Sequence, residues 1–286
     1  MFHVLDIRDC LDGERFIQVN FETHEEQGLN LEDSTMNGYR EEDDASAAAG
    51  GSIASIPAPT LPVEYYTEPD PRGFRVRGAN YMDDRVKVTS SPYLFRLICC
   101  DLFEVPGPTT SICSHPRNRV YRALQRNEDV WVFAVNIMIP GPPYLSFVAY
   151  FQGDKAMLQS DTPFGRIAQK FFFGSDDEYR NNRFKMIPKV VDGNMVVKMV
   201  VKDTPTLLGN KVKVHYNKGD NYFELDIDVG SSNVARNAVK ISSGYSKILV
   251  IDMGFCLQGD EASELPEVMM GACELIHMDL SVAQRL

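Results

Sequence analysis

A run of 23 residues without a charged side chain, residues 131–153, constrains the fold of this chain more than any other feature. Its length is that of a membrane-spanning helix, but its centre reads Ile139-Pro-Gly-Pro-Pro143. Proline removes a backbone N–H and breaks a helix interior, and this composition is typical of a turn. The run therefore predicts two strands joined by a tight loop. Because neither strand alternates apolar with polar residues, both are expected to be buried on both faces.

The chain beyond Arg72 carries many short strand patterns and few helical ones. Hairpin-length turns such as Asp192-Gly-Asn194 separate several of these strands, which favours antiparallel pairing. Strands that outnumber helices, without alternating β-α-β units, predict an α+β fold around a large curved antiparallel sheet. The predicted strands are 86–88, 93–103, 130–139, 144–151, 185–191, 195–201, 211–216, 222–229, 247–257 and 272–278.

About three helices are predicted. The first covers about 116–126 and has a proline in its first turn. The second covers about 162–174 and ends at a glycine, and the third begins at Ser231 or Ser232. The second helix is distinctive because apolar side chains recur at helical spacing along one face. They are Phe164, Ile167, Ala168, Phe171 and Phe172.

Charge and composition divide the chain into three parts. Residues 1–71 hold 16 acidic and 3 basic residues, whereas the remainder holds 24 acidic and 26 basic residues. Residues 1–30 are interpreted as an extension that can form a hairpin. Residues 31–71 are acidic and rich in proline, alanine and glycine, which predicts a disordered linker. Residues 72–286 are expected to form the domain, and its near-neutral charge argues against nucleic acid as a partner.

The cysteines and the N-terminus indicate the compartment. Six cysteines lack CxxC spacing, and most lie in apolar runs, which predicts buried, reduced thiols. Such thiols are typical of a reducing compartment. The N-terminus has neither the pattern of a signal peptide nor that of a transit peptide. We expect a cytoplasmic protein, with membrane association as an open alternative. The cysteines are Cys10, Cys99, Cys100, Cys113, Cys256 and Cys273.

Three carboxylates are candidates for catalysis. Glu224, Asp226 and Asp228 alternate with apolar residues along one predicted strand, so they share one face of it. Carboxylates in this arrangement can bind a hard cation or act as general acid and base.

The preceding strand offers a second interpretation of the same face, because basic side chains alternate along it. With Tyr216 opposite Phe223, each basic residue falls opposite a carboxylate. Exposed pairs of this kind contribute only about 0.2–1 kcal/mol each, but they fix the register. We favour this interpretation. The expected pairs are Lys213 with Asp226, Lys211 with Asp228, and His215 with Glu224.

A basic cluster is a candidate for binding an anion. Arg180, Arg183 and Lys185 follow an aromatic segment, and basic groups beside aromatic rings suit a phosphate or an anionic head group. Internal pairing with the nearby carboxylates of residues 176–178 is the alternative.

A helix start and three aromatic residues complete the candidate ligand contacts. Ser231 and Ser232 precede a helix whose free amides can receive an anion, although capping is their simpler role. Trp131, Phe171 and Phe172 can line an apolar ligand site, although core packing is the favoured interpretation. Neither a Walker A loop nor GxGxxG is present, and the histidines lack zinc-ligand spacing. No cofactor and no metal are predicted.

Several sequence blocks together are similar to the plant "enhanced disease resistance 2" C-terminal domain family, over roughly residues 72–280. The central blocks are Arg180-Asn-Asn-Arg-Phe-Lys-Met-Ile-Pro188, Leu208-Gly209, Tyr216-Asn-Lys-Gly-Asp-Asn-Tyr222 and Asp226-Ile-Asp-Val-Gly-Ser-Ser232. The flanking blocks are Arg75-Val-Arg-Gly-Ala-Asn-Tyr81, Val135-Asn-Ile, Ile139-Pro-Gly141 and Glu264-Leu-Pro-Glu267 followed by Gly271.

The resemblance implies a lipid-associated module that often follows membrane- or lipid-binding domains. It also implies a helix-grip-like shape, similar to the lipid-transfer domain that precedes this module in some plant relatives. A sheet wrapped on helices can enclose an apolar cavity. We therefore expect a non-enzymatic module that binds a lipid or another apolar small molecule, peripheral to an anionic membrane surface.

Two alternatives stay open. The first is a lipid-modifying or hydrolytic enzyme that uses the face of Glu224, Asp226 and Asp228. The second is a protein-interaction module in which the acidic N-terminal arm docks a basic partner.

Overall fold

The computed structural model describes residues 61–126, 130–201 and 203–286. The predicted hairpin within 1–30 and most of the predicted linker lie outside the described residues. The linker prediction also included residues 61–71, and these belong to the fold. Leu61 is fully buried, and Tyr66–Thr67 pairs with a strand of the domain. The domain therefore starts at or before Leu61.

Thirteen strands and seven α-helices are found in the described residues. The strands are β1 (Tyr66–Thr67), β2 (Arg75–Arg77), β3 (Lys87–Thr89), β4 (Arg96–Val105), β5 (Trp131–Ile139), β6 (Tyr144–Gly153), β7 (Phe184–Asp192), β8 (Thr206–Leu207), β9 (Lys213–Lys218), β10 (Tyr222–Asp228), β11 (Val250–Leu257), β12 (Met269–Ile276) and β13 (Gln284–Arg285). The helices are α1 (Tyr81–Asp84), α2 (Arg119–Gln125), α3 (Lys155–Leu158), α4 (Pro163–Ala168), α5 (Asp177–Asn181), α6 (Met195–Val200) and α7 (Asn233–Gly244), and a π-helix covers Gln169–Phe173.

The strands form two main sheets and a ribbon, mostly antiparallel, which confirms the α+β class. The five-stranded sheet has the order β1-β12-β11-β7-β8, with every neighbouring pair antiparallel. The six-stranded sheet has the order β13-β4-β6-β5-β10-β9, with parallel pairs at β13-β4 and β5-β10. β2 and β3 form the two-stranded ribbon.

The two main sheets face each other across an aromatic layer. Phe151 of β6 lies 5.9 Å from Phe255 of β11, measured between ring centres. Phe133 of β5 lies 6.3 Å from Phe184 of β7. All four rings are almost fully buried. Edge-to-face pairs of this kind stabilise a fold by about 0.5–1.5 kcal/mol beyond the burial of their area.

The predicted aromatic helix forms and enters this layer. Thr162 caps its start, because its hydroxyl accepts a hydrogen bond from the N–H of Gly165 at 3.0 Å. The π-helix that continues it carries Phe172, whose ring lies 5.4 Å from Trp131 and 5.0 Å from Phe223. The rings of the protein thus occupy the position at which an enclosed apolar ligand was expected. The arrangement is two facing sheets with a short aromatic helix between them.

The outer faces of both sheets are covered as well. On the six-stranded sheet, a buried cluster joins strand residues such as Val132 and Tyr150 to Ile112 and Cys113, and α2 packs beside it through Val120. On the five-stranded sheet, Val76 of β2 and the preceding Phe74 pack against residues of β7, β11 and β12. Burial on both faces is what the uncharged run predicted, and β5 and β6 pair as the expected hairpin.

The other sequence predictions have mixed outcomes. The three predicted helices correspond to α2, to α4 with the π-helix, and to α7. The predicted strand over 195–201 is wrong, because Met195–Val200 is helical and the turn before it joins β7 to α6 rather than to a strand. The five cysteines within the described residues are free and buried. No helix in the described part of the chain is both long and apolar enough to span a bilayer.

Candidate functional site

An open cleft of about 400 Å³ lies where β5 and β10 end. These strands are parallel neighbours, so their carboxyl ends meet at the same edge of the sheet. Crevices at the carboxyl ends of parallel strands are common ligand positions. One wall of the cleft is apolar and comes from the end of β5, the following turn and the start of β6. Its residues are Met138, Ile139, Pro140, Tyr144 and Leu145.

The opposite side of the cleft is polar. Asp228 ends β10 there, and Arg236 reaches back from α7 to donate a hydrogen bond to the carbonyl of Gly230. Lys213 lies opposite Asp228 in the register of β9 and β10. A Cβ atom at Gly230 would lie 3.1 Å from the carboxylate of Asp228 and 3.6 Å from Pro140. Glycine therefore keeps this part of the cleft open.

The two predicted serines hold the backbone beside the cleft. Ser231 accepts a hydrogen bond from the N–H of Lys213 at 2.8 Å and donates one to the carbonyl of Asp228 at 2.6 Å. Ser232 is the N-cap of α7 and accepts from the N–H of Ala235 at 3.5 Å. The capping role is confirmed for Ser232, and Ser231 ties β9 to the end of β10.

Glu224 and Asp226 are buried beneath a loop rather than exposed on a surface. Both side chains are inaccessible to solvent. Glu224 accepts hydrogen bonds from the N–H groups of Ile112 at 2.7 Å and Cys113 at 2.9 Å. Asp226 accepts one from the N–H of Ser111 at 3.0 Å. The carboxylates therefore hold residues 111–113 against the sheet.

Two amides complete the environment of Asp226. Asn136 donates to it at 2.7 Å from the neighbouring β5, and Asn217 donates to it at 2.5 Å from β9. Every oxygen of Glu224 and Asp226 thus accepts at least one hydrogen bond. Ser111 has a φ of 58°, in the left-handed region that is uncommon for a residue with a side chain. Such backbone persists only where its surroundings hold it.

The environment of the buried pair favours the protonated form of Glu224. Burial, and then the neighbouring Asp226, raise the pKa of Glu224 well above its usual range, because two close carboxylates cannot both ionise cheaply. The same surroundings raise the pKa of the Cys113 thiol, mainly through burial and then through Glu224. Within the described residues, no group of three or more His, Cys, Asp or Glu side chains is arranged to hold a metal.

The predicted surface ion pairs on this face are wrong, because the register differs by two residues. His215 lies opposite Asp226, and Lys213 lies opposite Asp228. Tyr216 faces Leu225 instead of Phe223. A slip of two keeps each side chain on its face, so the alternation survives while each basic residue moves to a different partner. Lys211 precedes β9 and pairs with none of the carboxylates in the ladder.

Arg180 has an internal role. Its side chain is buried and donates to the carbonyls of Phe171 at 2.7 Å and Gly174 at 2.5 Å, which end the π-helix. It also pairs with Asp177 at 2.5 Å, as the alternative interpretation of the basic cluster expected. Helix ends leave carbonyls without partners, and a basic side chain commonly satisfies them. The buried Phe171, like Phe172 and Trp131, belongs to the aromatic layer.

Arg183 and Lys185 also face carboxylates, from a distant part of the chain. Arg183 contacts Asp260 and Glu264, each at 2.9 Å. Lys185 is buried and pairs with Glu267 at 2.6 Å. The basic cluster thus ties β7 to the segment before β12, and its predicted role in ligand binding stays a prediction.

Sequence reasoning missed the residues that shape the cleft. Arg236 stands at the fourth position of α7, where a basic side chain can fold back over the first turn, and this position was the available signal. The uncharged turn of residues 140–143 was recognised only as a connection. Its place beside the end of β10 depends on the parallel pairing of β5 and β10, which no local pattern shows.

Comparison with known proteins gives a consistent result. The family model described as "Protein ENHANCED DISEASE RESISTANCE 2, C-terminal" matches residues 66–279. An Arabidopsis thaliana protein named "Protein ENHANCED DISEASE RESISTANCE 2-like" is 33% identical over 261 residues. That alignment covers 91% of this chain and 33% of the relative, so the chain spans about a third of the relative's length. No solved structure matches the chain.

Proposed function

This chain belongs to the ENHANCED DISEASE RESISTANCE 2 C-terminal family, and from that premise we propose that it is a non-enzymatic module that binds an amphipathic, lipid-like molecule in the cleft at the ends of β5 and β10. The observation that carries the proposal is the division of the cleft. One wall is formed by apolar side chains from 138–145, and the other side offers Asp228 and Arg236. Binding sites for small molecules are mostly apolar, with a few polar groups that orient the ligand.

The ligand is assigned a polar head and an apolar tail. Arg236 presents a guanidinium group, which recognises phosphate or carboxylate oxygens through two parallel hydrogen bonds. Tyr144 and Leu145 offer the apolar wall along which a hydrocarbon chain lies. The proposed ligand therefore lies at the edge of the six-stranded sheet. The space between the two sheets is filled by aromatic rings.

The non-enzymatic part of the proposal rests on the carboxylates. Glu224 and Asp226 are buried, and their oxygens already accept hydrogen bonds from residues 111–113 and from two amides. Asp228 is the carboxylate that borders the cleft. A general acid and base have to be within hydrogen-bond reach of a substrate, and the buried pair is not.

The proposal also assigns the module to a reducing, cytoplasmic compartment. The cysteines of the described part of the chain, free and buried, support that assignment. The predicted protein partner of the acidic arm concerns residues outside the described ones, and it stays a separate hypothesis.

Native mass spectrometry with a short-chain phosphatidic acid tests the proposal. The protein purified from its own source is expected to carry an extractable lipid, and the recombinant protein is expected to bind the short-chain lipid in one copy. Gly230→Leu should abolish this binding, because the new side chain points toward Pro140 and Asp228 and fills the cleft.

Gly244→Leu is the matched control. It places the same side chain on the last residue of α7, where a Cβ atom meets nothing within 4 Å. Equal binding by the wild type and Gly230→Leu would contradict the cleft as the site. A change in the mass of the lipid during incubation would contradict the non-enzymatic assignment.

A further inference from the structure

The outward face of α6 is apolar, the reverse of the usual pattern. Met195 and Met199 stand one helical turn apart and are 77% and 56% exposed. Val196 beside them is also exposed, whereas Val197 is fully buried and fixes the helix to the domain. Asn194 caps the helix by accepting a hydrogen bond from the N–H of Val197 at 3.0 Å. The exposed side chains therefore belong to a defined, capped helix.

More exposed apolar residues lie on the elements that adjoin α6. α6 packs against α7, whose first turn presents Val234 at 81% exposure. Ile248, in the short helix that follows α7, is 55% exposed. The chain just beyond it pairs with the end of β7, because Val250 lies opposite Asp192. We call the surface of Met195, Val196, Met199, Val234 and Ile248 the docking face.

The segments that carry the docking face hold basic residues, although Asp192 and Asp203 flank them and Asp279 pairs with Lys247. By sequence, residues 193–202 and 229–248 contain five basic residues and no acidic one. Lys198 and Lys240 are exposed on α6 and α7. Lys247 contacts Asp279 at 2.9 Å but keeps most of its side chain in solvent. The remaining two are Arg236 and Lys202, the latter outside the described residues.

We propose that the docking face binds the surface of an anionic phospholipid bilayer. Exposed apolar side chains on a helix fringed by lysines are the composition with which peripheral helices enter the interface between head groups and acyl chains. Methionine suits this role because its flexible, polarizable side chain adapts to irregular surroundings. The lysines of α6 and α7 attract anionic lipids and oppose the repulsion from Asp192 and Asp203 beside α6.

The docking face adjoins the cleft through α7. Arg236 and the residues before α7 line the cleft, and the same helix carries Val234 and Lys240. A bilayer bound at the docking face is thus next to the cleft opening and can supply its amphipathic ligand. Only this last step rests on the proposed function, because the docking face involves a different set of side chains.

Vesicle flotation of the full chain tests the inference. Vesicles of phosphatidylcholine alone are compared with vesicles of equal parts phosphatidylcholine and phosphatidylserine. The wild type should float with the anionic vesicles and be released as the salt concentration rises. The double variant Met195→Ser, Met199→Ser should weaken binding about tenfold or more, without a change in charge. The double variant Lys198→Gln, Lys240→Gln should weaken it about fivefold per lysine.

A matched control removes exposed apolar side chains elsewhere. Val86 and Val88, on and beside β3, are also exposed, and Val86→Ser with Val88→Ser should leave vesicle binding unchanged. Equal loss in the control and the methionine variant would overturn the assignment of this face. So would a wild type that ignores anionic vesicles.

Two further measurements distinguish bilayer binding from dimerisation and from ligand binding in the cleft. Sedimentation analysis without vesicles should give the same mass for the wild type and the methionine variant. A wild-type dimer that the methionine variant dissociates would show that the face joins two copies and would overturn the bilayer assignment. Binding of short-chain phosphatidic acid by the methionine variant should equal that of the wild type. Loss of vesicle binding with this binding intact supports the docking face whatever the fate of the cleft.

Discussion

Two buried glutamates, Glu224 and Glu267, lie in opposite electrostatic surroundings. On the six-stranded sheet, Glu224 and Asp226 accept hydrogen bonds from backbone N–H groups and amides, and burial beside Asp226 raises the pKa of Glu224. Beside the five-stranded sheet, in the segment before β12, Glu267 faces Lys185 at 2.6 Å and Arg77 at 3.6 Å. The surroundings therefore favour protonation of one buried glutamate, Glu224, and place cations beside the other, Glu267.

The difference predicts which condition each region depends on. A carboxylate that holds a proton depends on pH and tolerates the loss of charge. A carboxylate that faces buried cations depends on its partners, because removal of one leaves an uncompensated charge in a medium of low dielectric.

Lys185→Met is expected to be the most destabilising change. It removes the main cation from Glu267, which is almost fully buried. Breaking a buried pair from one side costs about 3–5 kcal/mol of the free energy of unfolding. Urea unfolding at neutral pH measures it, and the double variant with Glu267→Gln should recover part of the loss. A cost equal to that of a surface pair would mean that Glu267 is neutralised without Lys185.

Glu224→Gln should remove a pH dependence rather than destabilise strongly. Burial raises the pKa of Glu224, so the folded chain keeps its proton to a higher pH than the unfolded chain does. The unfolded state therefore binds fewer protons in that window, and the free energy of unfolding falls as pH rises, by up to about 1.4 kcal/mol per pH unit. Urea unfolding over a pH series should show this slope in the wild type and a flatter curve in Glu224→Gln.

Glu267→Gln is the control for that series. Its carboxylate faces Lys185 and Arg77, so this variant measures what the loss of a buried glutamate does to the same series. An unchanged slope in Glu224→Gln would contradict the raised pKa of Glu224.

Asp252 is intermediate between Glu224 and Glu267, because it has both a carboxylate and a cation as neighbours. Burial, and then Glu274, raise the pKa of Asp252 to about 6, while Lys189 lies 3.7 Å away. The folded state again holds the extra proton, so this contribution to stability is present below pH 3.8 and is lost as pH rises through about 6. Asp252→Asn should flatten the stability curve in that window alone. A steeper pH dependence of stability in Asp252→Asn would mean that the attraction of Lys189 outweighs burial and Glu274.

Asp161→Asn measures how much an exposed ion pair contributes to the free energy of unfolding. Asp161 contacts Arg166 at 3.0 Å, and both side chains are exposed. Screening by water and salt limits such pairs to about 0.2–1 kcal/mol, so the urea midpoint should hardly move. A loss close to that of Lys185→Met would remove the contrast between buried and exposed pairs.

Local patterns predicted the parts of the fold that local forces decide. The hairpin of β5 and β6 follows from uncharged strands around a proline-rich turn, and α4 follows from its cap and its apolar spacing. The strand predicted over residues 195–201 was wrong because a run of methionine and valine is typical of a strand. The cap at Asn194 and the tertiary contact of Val197 favour a helix instead.

The rest depends on partners that are distant in sequence. A slip of two residues between β9 and β10 preserves the alternation, so pattern alone could not locate Asp226 opposite His215. The donors at Ser111, Ile112 and Cys113 come from more than 100 positions away. The ion pair of Lys185 with Glu267 joins two of the blocks that identified the family. Their separation in sequence hid the contact.

The place of Trp131 makes it an optical reporter of the space between the sheets. It is the single tryptophan of the chain, it is buried, and its ring meets Phe172 edge-on at 5.4 Å. Its fluorescence in the folded protein is therefore expected at the short wavelength typical of apolar surroundings. The emission will shift to longer wavelength when water reaches the aromatic layer. A surface variant that loses lipid or vesicle binding but keeps the wild-type fluorescence spectrum has an intact interior. A variant whose spectrum shifts has lost packing between the sheets.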